Sequence, residues 1–194
     1  MDLPISNRAR HALSAVIAAA CLGVSAQASA DDATVQAVWT AKPLHFTFMG
    51  FTAKYSCDGL ADRMRGILLL LGARPDLKLT PVGCSGGFGR PTQFPGVTGT
   101  VNVLEPVGAK GPAPDQKPLA AHWQQVVVAP RGEPLHAAGD CELSEQVKTS
   151  ILPLFATRNI AYNSTCIPHQ LTVGGTQLAA DVLVPVPKTE PAPQ

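Results

Sequence analysis

The sequence predicts an α+β fold: two β–α–β–β pseudo-repeats, one helix in each, forming a mainly antiparallel sheet stapled by disulfides. Three observations carry this. Apolar residues at helical spacing follow Cys57, and a similar set follows Cys141. Short β-branched or aromatic stretches flank each set. The cysteines beyond residue 30 fall into two pairs of nearly equal span, 27 and 25 residues.

The first thirty residues stand apart from the fold. Arg8, Arg10 and His11 precede an uncharged run from Ala12 to Val24, and Ala28-Ser29-Ala30 follows. A basic start, an apolar middle and an A-x-A site form a secretory signal. The run of about 13 residues is too short for the roughly 20 that span a bilayer. A lipid anchor at Cys21 is the rival. Ala18-Ala19-Ala20 precedes Cys21, where a lipidation site normally has Leu, so soluble export to the periplasm or beyond is the expectation. No later segment is long and apolar enough to span a membrane.

Residues 31–194 carry 13 Lys+Arg against 13 Asp+Glu. That balance argues against nucleic acid, whose phosphates demand clustered positive charge. The apolar fraction, 45% of the whole chain, is ample for one core and excludes a disordered chain. The expected organisation is a single domain over 31–184. It divides into a first repeat (44–104), a Pro-rich connection (105–118) and a second repeat (119–184), with a Pro-rich tail at 185–194.

The elements follow in order. Residues 44–51 are aromatic and β-rich, with Phe46 and Phe48 on one face by period two. Asp58 is placed to accept hydrogen bonds at a helix start. Leu60, Met64, Leu68 and Leu71 recur at helical spacing. Gly72 suits a left-handed helix stop, and Pro75 prevents resumption. Leu77-Lys78-Leu79 alternates like a strand leading to Cys84, and residues 97–104 form another. The order then recurs: a strand at 122–128, a helix face of Leu143, Val147, Ile151 and Leu154, and strands at 158–164 and 178–184. Pro153 should kink that helix or end it early.

Four cysteines allow three pairings. Spacing and context favour Cys57–Cys84 and Cys141–Cys166. In each pair one cysteine opens a helix, and its partner closes the strand that follows. An exported chain meets an oxidising compartment, where such bonds persist.

Tyr55-Ser56-Cys57-Asp58-Gly59-Leu60, Arg63, the Ile67–Leu71 run, Leu71-Gly72-Ala73-Arg74 and Gly83-Cys84 together resemble a family of uncharacterised secreted bacterial proteins. The resemblance covers about residues 44–105. It implies export and a cysteine framework, and it lends no catalytic residue.

Several motifs carry possible chemistry. Gly83-Cys84-Ser85-Gly86-Gly87 matches the G-x-S-x-G elbow of serine hydrolases, with Asp140 and His169 in the right chain order behind Ser85. The elbow needs a following helix, and Pro91 and Pro95-Gly96 disfavour one. Cys166 and His169, with His136, Asp140 and Cys141, make a possible metal set, competing with the disulfides for the same sulfurs. His45 and His122 stand at the starts of corresponding expected strands. Asp58 and Asp62 are one helical turn apart, a spacing that capping and the helix dipole explain. Trp39, Phe46, Phe48, Phe51 and Trp123 form either a core or a ligand groove.

The expected function is non-catalytic: binding or adaptor work in the bacterial envelope, with an envelope protein or glycan as partner and no cofactor. The alternatives are a small secreted serine hydrolase using Ser85 and a periplasmic metal carrier using Cys166 and His169.

Overall fold

A computed structural model describes residues 34–51, 54–84, 89–128, 140–167 and 176–187. The expected signal segment, Ser85, His136, His169, the Asp140 side chain and most of the Pro-rich tail lie outside these residues.

Six strands form one antiparallel sheet. They are β1 (Val35–Thr47), β2 (Lys78–Val82), β3 (Gly96–Pro106), β4 (Leu119–Val128), β5 (Thr157–Ser164) and β6 (Thr176–Pro185), in the order β2-β3-β1-β4-β6-β5. Helix α1 (Cys57–Leu70) lies between β1 and β2 in the chain. Helix α2 (Asp140–Gln146) lies between β4 and β5 and continues through a π-turn, Val147–Ile151, and a 3-10 turn, Leu152–Leu154. The fold is therefore α+β, as the alternation of patterns predicts.

Period-two alternation sorts the strand residues between the two faces. Leu44 and Phe46 of β1, Val97, Val101 and Val103 of β3, Val126 and Val128 of β4, and Leu178, Ala180 and Val182 of β6 share one face. They meet Leu60, Met64, Ile67 and Leu68 of α1 and Leu143, Val147, Ile151 and Leu152 from the second helical segment. All are buried in one cluster. Burying each of the larger side chains contributes about 1.5–3 kcal/mol, which holds both helices on the same side of the sheet.

The termini of α1 follow from specific residues. Ser56, rather than the expected Asp58, is the N-cap: its hydroxyl accepts from the Gly59 N–H at 3.1 Å. Asp58 lies in the first turn, and its carboxylate accepts from the Gly89 N–H at 3.4 Å. At the other end the Gly72 N–H donates to the Leu69 carbonyl and the Ala73 N–H to the Leu68 carbonyl. This is a Schellman motif with Gly72 at φ +89°, the left-handed stop that its position predicts.

Two expectations need correction. The first strand begins at Val35, nine residues before the expected Leu44, and ends at Thr47, so Phe51 lies outside it and is exposed. Lys42-Pro43 hides the strand in the sequence. Pro43 is tolerated because β1 pairs with β4 only over Val35–Ala37, leaving that edge of Pro43 without a ladder to join. In the second helical segment Leu143, Val147 and Ile151 are buried as expected, but Leu152 and Phe155 bury more fully than Leu154. The π-turn shifts the buried face there, and Pro153 sits in the 3-10 turn that ends the segment.

Both disulfides pair as expected. Cys57 is bonded to Cys84 and Cys141 to Cys166, with Cα–Cα separations of 5.9 and 6.0 Å.

Candidate functional site

The helices cover one face of the sheet; the other face carries the candidate site. Its centre is a small apolar cluster: Ala37 of β1, Leu104 of β3, Ala121 of β4 and Leu183 of β6 are buried, with Val35, Leu119, Trp39 and Trp123 packed against them. Antiparallel pairing of Val35–Ala37 with Leu119–Ala121 sends Trp39 and Trp123 in opposite directions from the centre. At about 3.3 Å per residue they stand roughly 20 Å apart along the strands.

Each tryptophan lies opposite a leucine, Trp39 opposite Leu104 and Trp123 opposite Leu183. Each also carries an arginine over its ring. The Arg74 guanidinium carbon is 5.7 Å from the Trp39 ring centre, and that of Arg158 is 4.7 Å from Trp123. Such cation–π contacts contribute about 0.5–1 kcal/mol where exposed.

The two arginines differ in their carboxylate partners. Asp76, two residues after Arg74, accepts from Arg74 Nε at 2.8 Å and Nη2 at 2.6 Å. The Asn102 amide, on β3, approaches Asp76 Oδ1 at 3.5 Å. Hydrogen bonding to Arg74 holds the Asp76 carboxyl below the usual carboxylate range and raises Arg74 in turn. Around Trp123 the carboxylate comes from the sheet itself. Asp181 on β6 accepts from Arg158 Nε at 3.1 Å and from Asn159 Nδ2 at 2.7 Å. Asp181 is only 7% exposed.

A bulge positions these groups. The pairing of β5 with β6 shifts register between Arg158 and Ala161, and Asn159 adopts φ +52°, the one positive φ among described non-glycine residues. Asparagine tolerates that conformation because its short amide bonds locally. The extra residue turns Asn159 toward Asp181 at the edge of the sheet. The result is an open depression of about 320 Å³ lined by Trp123, Gln125, Arg158, Asn159 and Asp181. A carboxylate, a guanidinium, two carboxamides and an indole converge there.

The other candidates disperse. Phe46 and Phe48 are core residues, and Phe48 meets Tyr55 edge-on with ring centres 4.8 Å apart. His45 lies near the end of β1, whereas His122 lies near the start of β4, so the two do not hold matching places. Asp62 is exposed on α1. Ser85, His136 and His169 lie outside the described residues, and Cys84, Cys141 and Cys166 are disulfide-bonded. Among the described residues, no group of three or more His, Cys, Asp or Glu could hold a metal ion, and no helix is long and apolar enough to cross a membrane.

Sequence reasoning singled out both tryptophans but missed Arg74, Arg158, Asn159 and Asp181. A signal was present in the spacing. Trp39 stands 18 residues before Cys57 and Arg74 stands 17 after it; Trp123 and Arg158 stand at the same distances from Cys141. No known family model, curated protein or solved structure matches this chain.

Proposed function

We propose that this chain is an exported, non-catalytic binding protein of the cell envelope, built from two related β–α–β–β halves, with its ligand seat in the depression beside Trp123. The observation that carries this reading is Asp181, a nearly buried carboxylate lining an open depression together with Arg158, Asn159 and Gln125. Convergent polar groups against an apolar wall are the usual make-up of a small-ligand site. The disulfides are compatible with an oxidising compartment, and they stiffen the frame that holds the site.

Several parallels support two related halves. The sheet order reads β2-β3-β1 and then β4-β6-β5, so β1, β2 and β3 have counterparts in β4, β5 and β6. The Val107 N–H donates to the Gln36 carbonyl at 2.9 Å, and the Val186 N–H donates to the Ala120 carbonyl at the same distance. Leu104, Pro106, Val107 and Pro112-Ala113-Pro114 recur at equal spacing as Leu183, Pro185, Val186 and Pro191-Ala192-Pro193.

Trp39 and Trp123 are the only tryptophans, so Trp39→Phe leaves one fluorescent indole in the seat. Envelope glycan and protein fractions are titrated against this variant. The expected result is a saturable change in Trp123 emission that Asp181→Asn weakens by about tenfold or more. A response whose affinity Asp181→Asn leaves unchanged, or no response to any fraction, overturns the seat. Labelling by a serine-directed probe that Ser85→Ala removes overturns the non-catalytic reading.

A further inference from the structure

We infer that the seat beside Trp123 takes a neutral, hydroxyl-rich ligand, a saccharide unit of an envelope glycan; this rests on the reading of the depression as the ligand seat. The first argument is charge. Arg158 and Asp181 are paired across 3.1 Å, so the lining carries no net charge. An anion would compete with Asp181 for Arg158, and a cation would compete with Arg158 for Asp181. A neutral ligand leaves the pair intact.

The second argument is the inventory of groups. Asp181 offers acceptors, Arg158 offers donors, and Gln125 and Asn159 each offer both. A hydroxyl also both donates and accepts, and neighbouring hydroxyls on a sugar ring match the paired atoms of a carboxylate, guanidinium or carboxamide. The indole of Trp123 supplies an apolar wall for the C–H surface of such a ring. About 320 Å³ lies at the small end of ligand sites and suits a mono- or disaccharide.

The third argument comes from the first half of the chain, which contains the same Trp–Arg contact with a different carboxylate partner. There Asp76 engages Arg74 through both oxygens from two residues away. Two residues after Arg158 stands Ile160, which has no carboxylate and is half exposed. The charge has moved instead to the sheet floor, where Asp181 takes the place that Asn102 holds on β3. The floor of the second site thereby gains a charged acceptor where the first site has a carboxamide.

The test uses the mature, oxidised protein carrying Trp39→Phe, titrated while Trp123 emission is read. The probes are neutral oligosaccharides (maltose and chitin oligomers, and a panel of neutral envelope glycans), an oligogalacturonate as anion and spermidine as cation. The expected result is saturable binding of a neutral glycan that changes less than about twofold between low and high salt, since no counterion is displaced. Asp181→Asn and Gln125→Ala should each weaken it; loss of a hydrogen bond to the charged Asp181 is worth about tenfold or more. Gln125 is exposed on its strand, so its truncation leaves the fold intact. Asp76→Asn, at the first-half site, should leave binding unchanged. Salt-sensitive binding of a charged probe alone, or a response only to an envelope protein fraction, overturns the saccharide assignment while the seat stands. Silence of Trp123 toward every probe and fraction overturns both.

Discussion

Asp181 on β6 holds the place that Asn102 holds on β3. Each stands two residues before a leucine that faces a tryptophan, Leu183 before Trp123 and Leu104 before Trp39. The exchange of amide for carboxylate changes the energetics. Asp181 is nearly buried and bonds both Arg158 and Asn159, whereas Asp76 meets Arg74 in the open. Asp181→Ala removes a charged acceptor from two donors and should cost about 1–3 kcal/mol. Asp76→Ala should leave the urea midpoint nearly unchanged, because exposed pairs contribute little. Equal shifts for the two variants would show that burial of Asp181 has no energetic consequence.

Much of the framework was legible because it is written in short-range patterns. Helix periodicity located α1, and Gly72 marked its end at the correct residue. The cysteine spacing gave the pairing because each bond closes one helix–strand unit. The site was less legible. Arg158, Asn159 and Asp181 come together through a bulge and a cross-strand register, and neither leaves a local mark. Only comparison of Trp–Cys–Arg spacing between the two halves exposes the arginines. The N-terminal part of β1 was missed for a related reason: tolerance of Pro43 depends on where β4 stops pairing, a fact of tertiary structure.

The Cys57–Cys84 bond spans 27 residues and ties the start of α1 to the chain just beyond β2. In the chain-entropy model a loop of this length contributes about 3.5 kcal/mol. Replacing both cysteines with serine should lower stability by up to that amount, read from urea denaturation of the oxidised protein. The Cys141–Cys166 bond closes a similar loop and should give a similar loss. Peptide mapping of unreduced protein checks the pairing directly. A fragment joining Cys57 to Cys141 would contradict it.

Gly72 combines two constraints. Its φ of +89° lies where a Cβ is strained, and a Cβ built there would approach the Leu183 carbonyl oxygen to 2.8 Å. That carbonyl belongs to backbone and cannot swing aside. Gly72→Ala should therefore cost at least about 1–2 kcal/mol, the left-handed penalty before any steric displacement. A lowered thermal midpoint with unchanged disulfide pairing is the expected result. An unchanged midpoint would mean that the Schellman turn has an alternative form.

The Lys42 ammonium lies 2.6 Å from Glu105 across β1 and β3. Its hydrogen bond holds the Glu105 carboxyl below the usual carboxylate range. A group depressed on folding contributes stability above its unfolded pKa, about 4.3 for Glu, and loses it as pH falls through the lower folded value. Both side chains are partly exposed, so the contribution belongs with surface pairs, roughly 0–1 kcal/mol. The stability difference between the native protein and Glu105→Gln should be constant above about pH 5 and shrink on acidification. High salt should reduce it as well. A difference that grows as pH falls would have the wrong sign for this pair.

Ser144 presents the opposite case, a polar group whose removal should help. Its side chain is fully buried in α2, between positions that face the core, and its hydroxyl has no hydrogen-bond partner among the described residues. A buried hydroxyl without a partner carries a desolvation cost of about 1–3 kcal/mol. Alanine fills nearly the same volume, has no polar atom to satisfy, and favours the helix by a few tenths of a kcal/mol. Ser144→Ala should therefore raise the urea midpoint, by a stabilisation of up to about 1 kcal/mol once lost contacts of the oxygen are counted. Ser144→Val would place an extra branch beside Leu143 and Val147 and should destabilise by overpacking, about 1–3 kcal/mol. The opposite signs of the two variants separate the cost of the hydroxyl from the tightness of the packing. A destabilising Ser144→Ala would mean that the hydroxyl is hydrogen-bonded in solution.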